Sequence, residues 1–92
     1  MKQYTSQDQT YKLITLGLEK PKQFIEGPTL LDSRFAYSIG ELIEMLNGVS
    51  ELEITRYGSG WGVYDDLRAF TREELIDALY DMIVKLKEDG VI

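Results

Sequence analysis

Residues 51–64, Glu51-Leu52-Glu53-Ile54-Thr55-Arg56-Tyr57-Gly58-Ser59-Gly60-Trp61-Gly62-Val63-Tyr64, set the period of this chain apart from its flanks. Apolar and polar residues alternate from Glu51 to Tyr57, the two-residue period of a half-buried strand. Trp61 to Tyr64 again has strand composition, and Gly58-Ser59-Gly60 separates the two runs. A two-residue turn at Gly58-Ser59 pairs Ile54 with Val63 and Arg56 with Trp61. That register gathers Leu52, Ile54, Trp61 and Val63 on one face and leaves Tyr57 and Tyr64 on the other. A three-residue loop would scatter the apolar residues over both faces, so the shorter turn is preferred.

On either side the period lengthens to that of a helix. Downstream, Asp65-Asp66 ends the hairpin, and Leu67 to Phe70 reads as a connector or a brief third strand. Thr71 and Glu74 spell T-x-x-E, which places the start of a helix at Thr71 with Phe70 stapled onto Leu75. Leu75, Ile76, Leu79, Met82, Ile83 and Leu86 form its wide apolar stripe. Glu73, Glu74 and Asp77 at the start and Lys85 and Lys87 at the end complement the helix dipole. Asp81 and Lys85 are spaced as an i,i+4 pair. Gly90 ends the helix, with Val91 folding back on Leu86.

Upstream, Ser38 and Glu41 spell a second capping box, with Tyr37 and Leu42 as its staple. Ile39, Leu42, Ile43 and Leu46 follow at i, i+3, i+4 and i+7, and Asn47-Gly48 ends the helix. A third box, Ser6 with Gln9, opens a helix over residues 6 to 16 that Gly17 closes, with Leu18 packing back on Leu13. Residues 19 to 36 carry Pro21 and the turn signal Gly27-Pro28. They read as a long connection, or as one whose start is a short helical turn from Pro21 toward Ile25. Phe24, Ile25, Leu30, Leu31 and Phe35 are too apolar for a free loop and are expected on the core. The expectation is one α+β domain over 1–92: three helices packed with a β-hairpin, in the order α-α-β-β-α, with a long irregular segment between the first two helices. A lone hairpin is marginal in water, so it must rest on a helix, and the last helix has the widest apolar stripe.

Composition narrows the chemistry. The 92 residues contain no cysteine and no histidine. Thiol nucleophiles, thiolate metal sites and Ser-His or Cys-His mechanisms are therefore absent from this chain. Carboxylates, lysines and tyrosines alone are left for acid–base work, and a non-enzymatic protein with no cofactor is expected. Ten basic against sixteen acidic residues give a net charge of −6. Such a surface repels phosphate backbones, so direct nucleic-acid binding is not expected. No apolar run reaches the roughly 20 residues of a membrane span, and the polar start Met1-Lys2-Gln3-Tyr4 is not of signal-peptide type. A cytoplasmic protein is expected.

Three candidate sites deserve weighing. Gly58-Ser59-Gly60-Trp61-Gly62 has the spacing of a phosphate loop, but such loops open a helix, and this one precedes a strand. Asp65-Asp66, or Glu73, Glu74 and Asp77, could face a hard cation, yet no D-x-[DN]-x-[DN]-G loop is present and acids at a helix start are commonly dipole complements. No metal site is expected. Tyr57, Tyr64 and Trp61 form the candidate interaction surface, because aromatics bury much area at low entropic cost. The competing reading puts Trp61 in the core and makes the tyrosines cross-strand partners.

Three segments carry a resemblance that spans nearly the whole chain. They are Thr5-Ser6-Gln7 with Lys12-Leu13-Ile14-Thr15-Leu16-Gly17-Leu18, Ala36-Tyr37-Ser38-Ile39-Gly40-Glu41-Leu42-Ile43-Glu44-Met45-Leu46, and Leu75-Ile76-Asp77-Ala78-Leu79-Tyr80-Asp81-Met82-Ile83 with Gly90-Val91-Ile92. The pattern resembles a group of short uncharacterised proteins of gut-bacterial phages, prophages and other mobile elements. Members often begin T-S-x-Q before a helix ending L-G-L, and close on a helix followed by N-G-Y-I. Here Asp89-Gly90-Val91 replaces that ending, Tyr37 stands where tryptophan is frequent, and Asp81 takes a glutamate's place. The resemblance implies a mobile-element origin and carries over no catalytic or binding residue. The expected function is a small protein-interaction module with another protein as partner. The alternatives are an acidic mimic of nucleic acid that blocks a host DNA-binding protein, or a self-associating module with Leu30, Leu31, Tyr80 and Val84 as its patch. Monomer and homodimer both remain open.

Overall fold

Ser6 and Ser38 cap their helices as the sequence dictates. In a computed structural model, which describes residues 1–29 and 33–92, each serine Oγ accepts the amide of the residue three positions on, and Gln9 and Glu41 return the bond. Helix α1 runs over Gln7–Thr15 and helix α2 over Ile39–Met45. Gly17, at φ 90, ends α1: its amide reaches Ile14 and that of Leu18 reaches Leu13, which satisfies two carbonyls left open by the helix. Helix α3, Leu75–Glu88, ends the same way through Gly90 at φ 75 and the bond from Val91 to Leu86.

Among the described residues the order is α-β-β-α-β-β-β-α, which corrects the expected α-α-β-β-α. The difference begins in the segment expected to be irregular. Gln23–Ile25 (β1) and Arg34–Ala36 (β2) pair as an antiparallel hairpin, so no helical turn follows Pro21. Each strand has only three residues, too few for alternation to show in the sequence. Phe24 and Phe35 pair across it with ring centroids 5.1 Å apart and edges to faces. They stand on the outer face, both exposed, while Ala36 is buried on the other. They therefore satisfy each other rather than docking on the core, and half-buried Ile25 is not among the residues packed against it either. Leu30 and Leu31 lie outside the described residues.

The second sheet follows the expected register. Glu53–Tyr57 (β3) pairs with Gly60–Tyr64 (β4), matching Ile54 to Val63 and Arg56 to Trp61 around Gly58-Ser59. Gly58 has φ 59 whereas Ser59 is not left-handed, the signature of a type II′ turn. A third strand, Ala69–Arg72 (β5), pairs with β4 and gives the order β3-β4-β5. Its ladder sets Thr71 against Gly62, so Thr71 cannot cap α3. The chain turns into the helix only at Glu74, which makes no capping bond with its side chain. Instead Glu74 accepts the backbone amide of Lys2 at 2.7 Å.

Helix α3 is the hub. Its residues Leu75, Ile76, Ala78, Leu79, Met82, Ile83 and Leu86 are buried with Leu13, Tyr37, Leu42, Leu46 and Val63 in one core. It packs against α2 on one side and against β4 and β5 on the other, while β3 overhangs its edge. The expected Asp81–Lys85 pair does not form. Asp81 takes the Arg72 guanidinium at 2.6 Å and Lys85 takes Asp89 at 3.3 Å, because Arg72, on the inner face of β5, reaches α3 first. Tyr80 and Val84 are half-buried, packed against the core. No helix among the described residues is long and apolar enough to cross a membrane.

Candidate functional site

Strand alternation divides the three aromatic candidates. Tyr57 and Tyr64 lie on the outer face of the three-stranded sheet with Glu53, Thr55, Gly62, Ala69 and Thr71. Trp61 lies on the inner face with Ile54, Val63 and Phe70, half-buried against the core. The Arg56 guanidinium sits over the Trp61 ring, 5.0 Å from its centroid, and closes its open side. The structure thus brings the two tyrosines together and sets Trp61 apart from them.

The tyrosines are held by what lies between them. A Cβ built on Gly62 would stand 3.8 Å from Tyr57 Cδ2, 3.9 Å from Tyr64 Cδ1 and 3.5 Å from Thr55 Cγ2. The rings lean over a position without a side chain and leave Gly62 buried on a face that no helix covers. Tyr64 also donates its phenol proton to Glu53 Oε2, its direct cross-strand partner, at 2.6 Å. That hydrogen bond, backed by the charge of Glu53, raises the Tyr64 pKa above the ordinary phenol value of 10.0. Tyr57 has no such tie and is 64% exposed. The face carries the two tyrosines side by side and the small residues Ala69 and Thr71 on its β5 side, which offers aromatic contact area to a partner.

The other candidates resolve into structural roles. Gly58 and Ser59 make the hairpin turn, and Gly60 and Gly62 lie within β4, so no helix opens behind the glycines to hold a phosphate. Asp65 Oδ1 accepts the amides of Leu67 and Arg68, and its Oδ2 takes the Arg68 guanidinium at 2.7 Å. Arg68 in turn reaches Asp89 at 2.9 Å, which ties the β4–β5 turn to the end of α3. Asp77 accepts Lys2 Nζ at 2.9 Å and Gln9 Nε2 at 2.8 Å, joining the N-terminal segment and α1 to α3. Among the described residues no group of three or more carboxylates converges as a metal site would require.

One feature escapes sequence reasoning. Ile43 belongs to the apolar stripe of α2 by spacing, yet it is 41% exposed. Seven residues give α2 two turns, and α3 covers only the side bearing Leu42 and Leu46. Ile43 instead borders an open groove of about 500 Å³ with Glu44, Val49 and Leu52. The signal that could have found it is the width of the stripe: four apolar positions on a two-turn helix exceed what one neighbouring helix covers.

No family model, curated protein or solved structure matches the chain.

Proposed function

We propose that this chain is a small non-enzymatic interaction module, of phage or prophage origin, whose partner is another protein. The observation that carries the reading is the uncovered outer face of the β3-β4-β5 sheet, where Tyr57 stands exposed beside Tyr64 over Gly62. Tyrosine supplies a rigid contact area at low entropic cost, and exposed aromatics are favoured binding anchors. The absence of cysteine and histidine from the sequence supports a binding role over a catalytic one.

The test is affinity capture from host lysate with the wild-type chain and with Tyr57→Ala, read by mass spectrometry at low and high salt. A partner retained by the wild type at high salt and lost by Tyr57→Ala is expected. A partner held equally by both removes the tyrosine face from the site. Capture lost at high salt in both transfers the reading to an acidic mimic of nucleic acid.

A further inference from the structure

We propose that the free edge of β3, together with the groove beside it, accepts an extended peptide of alternating apolar and basic residues as a fourth strand. This rests on the reading of the chain as an interaction module but uses a different surface from the tyrosine face. β3 is an edge strand, paired among the described residues with β4 alone. The two-residue turn makes Tyr57 and Gly60 the closing hydrogen-bonded pair. By alternation, the amides and carbonyls of Ile54 and Arg56 then point away from β4, and no backbone group of the described residues meets them. No proline interrupts this edge, and it has no bulge against β4.

Side chains around the edge specify the occupant. On the inner face Ile54 is exposed, and Leu52, half-buried against the core, lines the groove with Ile43 and Val49. An added strand would point every second side chain toward that apolar strip. Its other side chains would stand beside Glu53 on the outer face. Glu44, Glu51 and Glu53 rim the site, and none of the three joins an ion pair among the described residues. A basic segment would neutralise them, whereas a second copy of this chain, at net −6, would bring further carboxylates. Charge and edge therefore select the same occupant: an extended strand, apolar on one face and cationic on the other.

The experiment titrates the full ¹⁵N-labelled chain with acetylated eight-residue peptides of alternating Val and Lys. Controls are the Val/Glu peptide and two Val/Lys peptides N-methylated either at every Val or at every Lys. Backbone pairing uses one alternate set of peptide amides, so one methylated peptide should bind about tenfold weaker while the other keeps its affinity. Loss at the Val set means antiparallel addition, and loss at the Lys set means parallel addition. Amide shifts should centre on Leu52, Ile54 and Arg56, and the Val/Glu peptide should not bind. Methylated peptides that both bind like the parent or both fail, equal binding of Val/Glu, shifts centred elsewhere, or no binding at millimolar peptide each overturn the proposal. Shifts confined to Tyr57 and Tyr64 would overturn it while leaving the tyrosine face standing as the interaction surface.

Discussion

A Cβ placed on Gly60 would lie 2.7 Å from the carbonyl oxygen of Arg72, and 3.3 Å from the Glu73 Cα. The end of β5 crosses the start of β4 so closely that the position has no room for a side chain, and the obstacle is backbone. The backbone of Gly60 is not left-handed, so the constraint is the contact and not the torsion. Gly60→Ala must push β5 away from β4 just before α3 begins, and overpacking of this kind costs about 1–3 kcal/mol. Gly58→Ala, by contrast, meets nothing within 4 Å and is opposed only by its φ of 59. Urea denaturation of both variants checks this: Gly60→Ala should lose about 1–3 kcal/mol through that contact, and Gly58→Ala about 1–2 kcal/mol through its torsion alone.

Four S/T-x-x-E/Q patterns in this sequence look alike, Ser50 with Glu53 leading into β3, and two of the four cap helices. Ser6 with Gln9 and Ser38 with Glu41 do so because neither serine lies in a strand ladder, Ser38 meeting Tyr4 only in an isolated bridge. Thr71 with Glu74 does not, because Thr71 is drawn into the ladder opposite Gly62. Capping chemistry is legible from four residues, whereas a strand pairing depends on residues far along the chain. The same difference explains the rest of the fold. The β3–β4 turn and register were legible from adjacent residues, but the three-residue strands β1 and β2 were not. At the candidate site, the register already separates Trp61 from Tyr57 and Tyr64. The leaning of both rings over Gly62 arises only in the folded sheet, from rotamers that the sequence pattern does not encode. Ser38→Ala should therefore cost about 1 kcal/mol, the usual worth of an N-cap. Thr71→Ala, exposed and without a capping bond, should change stability by less than about 0.5 kcal/mol. Equal losses in the two variants, measured by chemical denaturation, would contradict the assignment.

Stability should fall in acid through three aspartates. Burial pushes the Asp77 carboxyl up, but hydrogen bonds from Lys2 and Gln9 and the charges of Lys2 and Arg72 outweigh it and leave its pKa lowered. At Asp65 burial is likewise outweighed, by the Leu67 and Arg68 amides and the Arg68 guanidinium. The Arg68 hydrogen bond lowers Asp89, with Lys85 adding to it. A carboxyl with a lowered folded pKa contributes stability that is complete above its unfolded value, near 3.8. That contribution is lost as pH falls through the folded value. The unfolding midpoint in urea should accordingly be level from about pH 7 to 5 and drop below about pH 4. Asp77→Asn should lower stability at pH 7 by about 1.5–3 kcal/mol, the range for a hydrogen bond to a charged group. The gap between variant and wild type should close as the pH approaches 2, where the wild-type carboxyl is also protonated. A constant gap across that range would show that the charge of Asp77 contributes nothing to folding.

Glu51 is the one non-glycine residue with positive φ among the described residues, at 61, in the turn that leads from α2 into β3. A left-handed backbone crowds the Cβ of an L-residue against its own carbonyl and costs roughly 1–2 kcal/mol, a cost that glycine escapes. Glu51 is exposed and, among the described residues, its side chain makes no hydrogen bond or ion pair that would repay it. Glycine also gains freedom in the unfolded chain, which offsets part of the relief. The net expectation for Glu51→Gly is a gain of about 0.5–1 kcal/mol. In a chain of this size that raises the melting temperature by about 2–8 °C. Glu51→Ala keeps the Cβ and removes only the charge, so it should leave stability within about 0.5 kcal/mol of the wild type. The two variants together separate backbone strain from charge. They also bear on peptide binding at β3: if Glu51 is kept for its carboxylate, both should weaken the Val/Lys peptide, although only Glu51→Gly stabilises the fold. Thermal unfolding and the peptide titration, run on the same pair, measure both consequences.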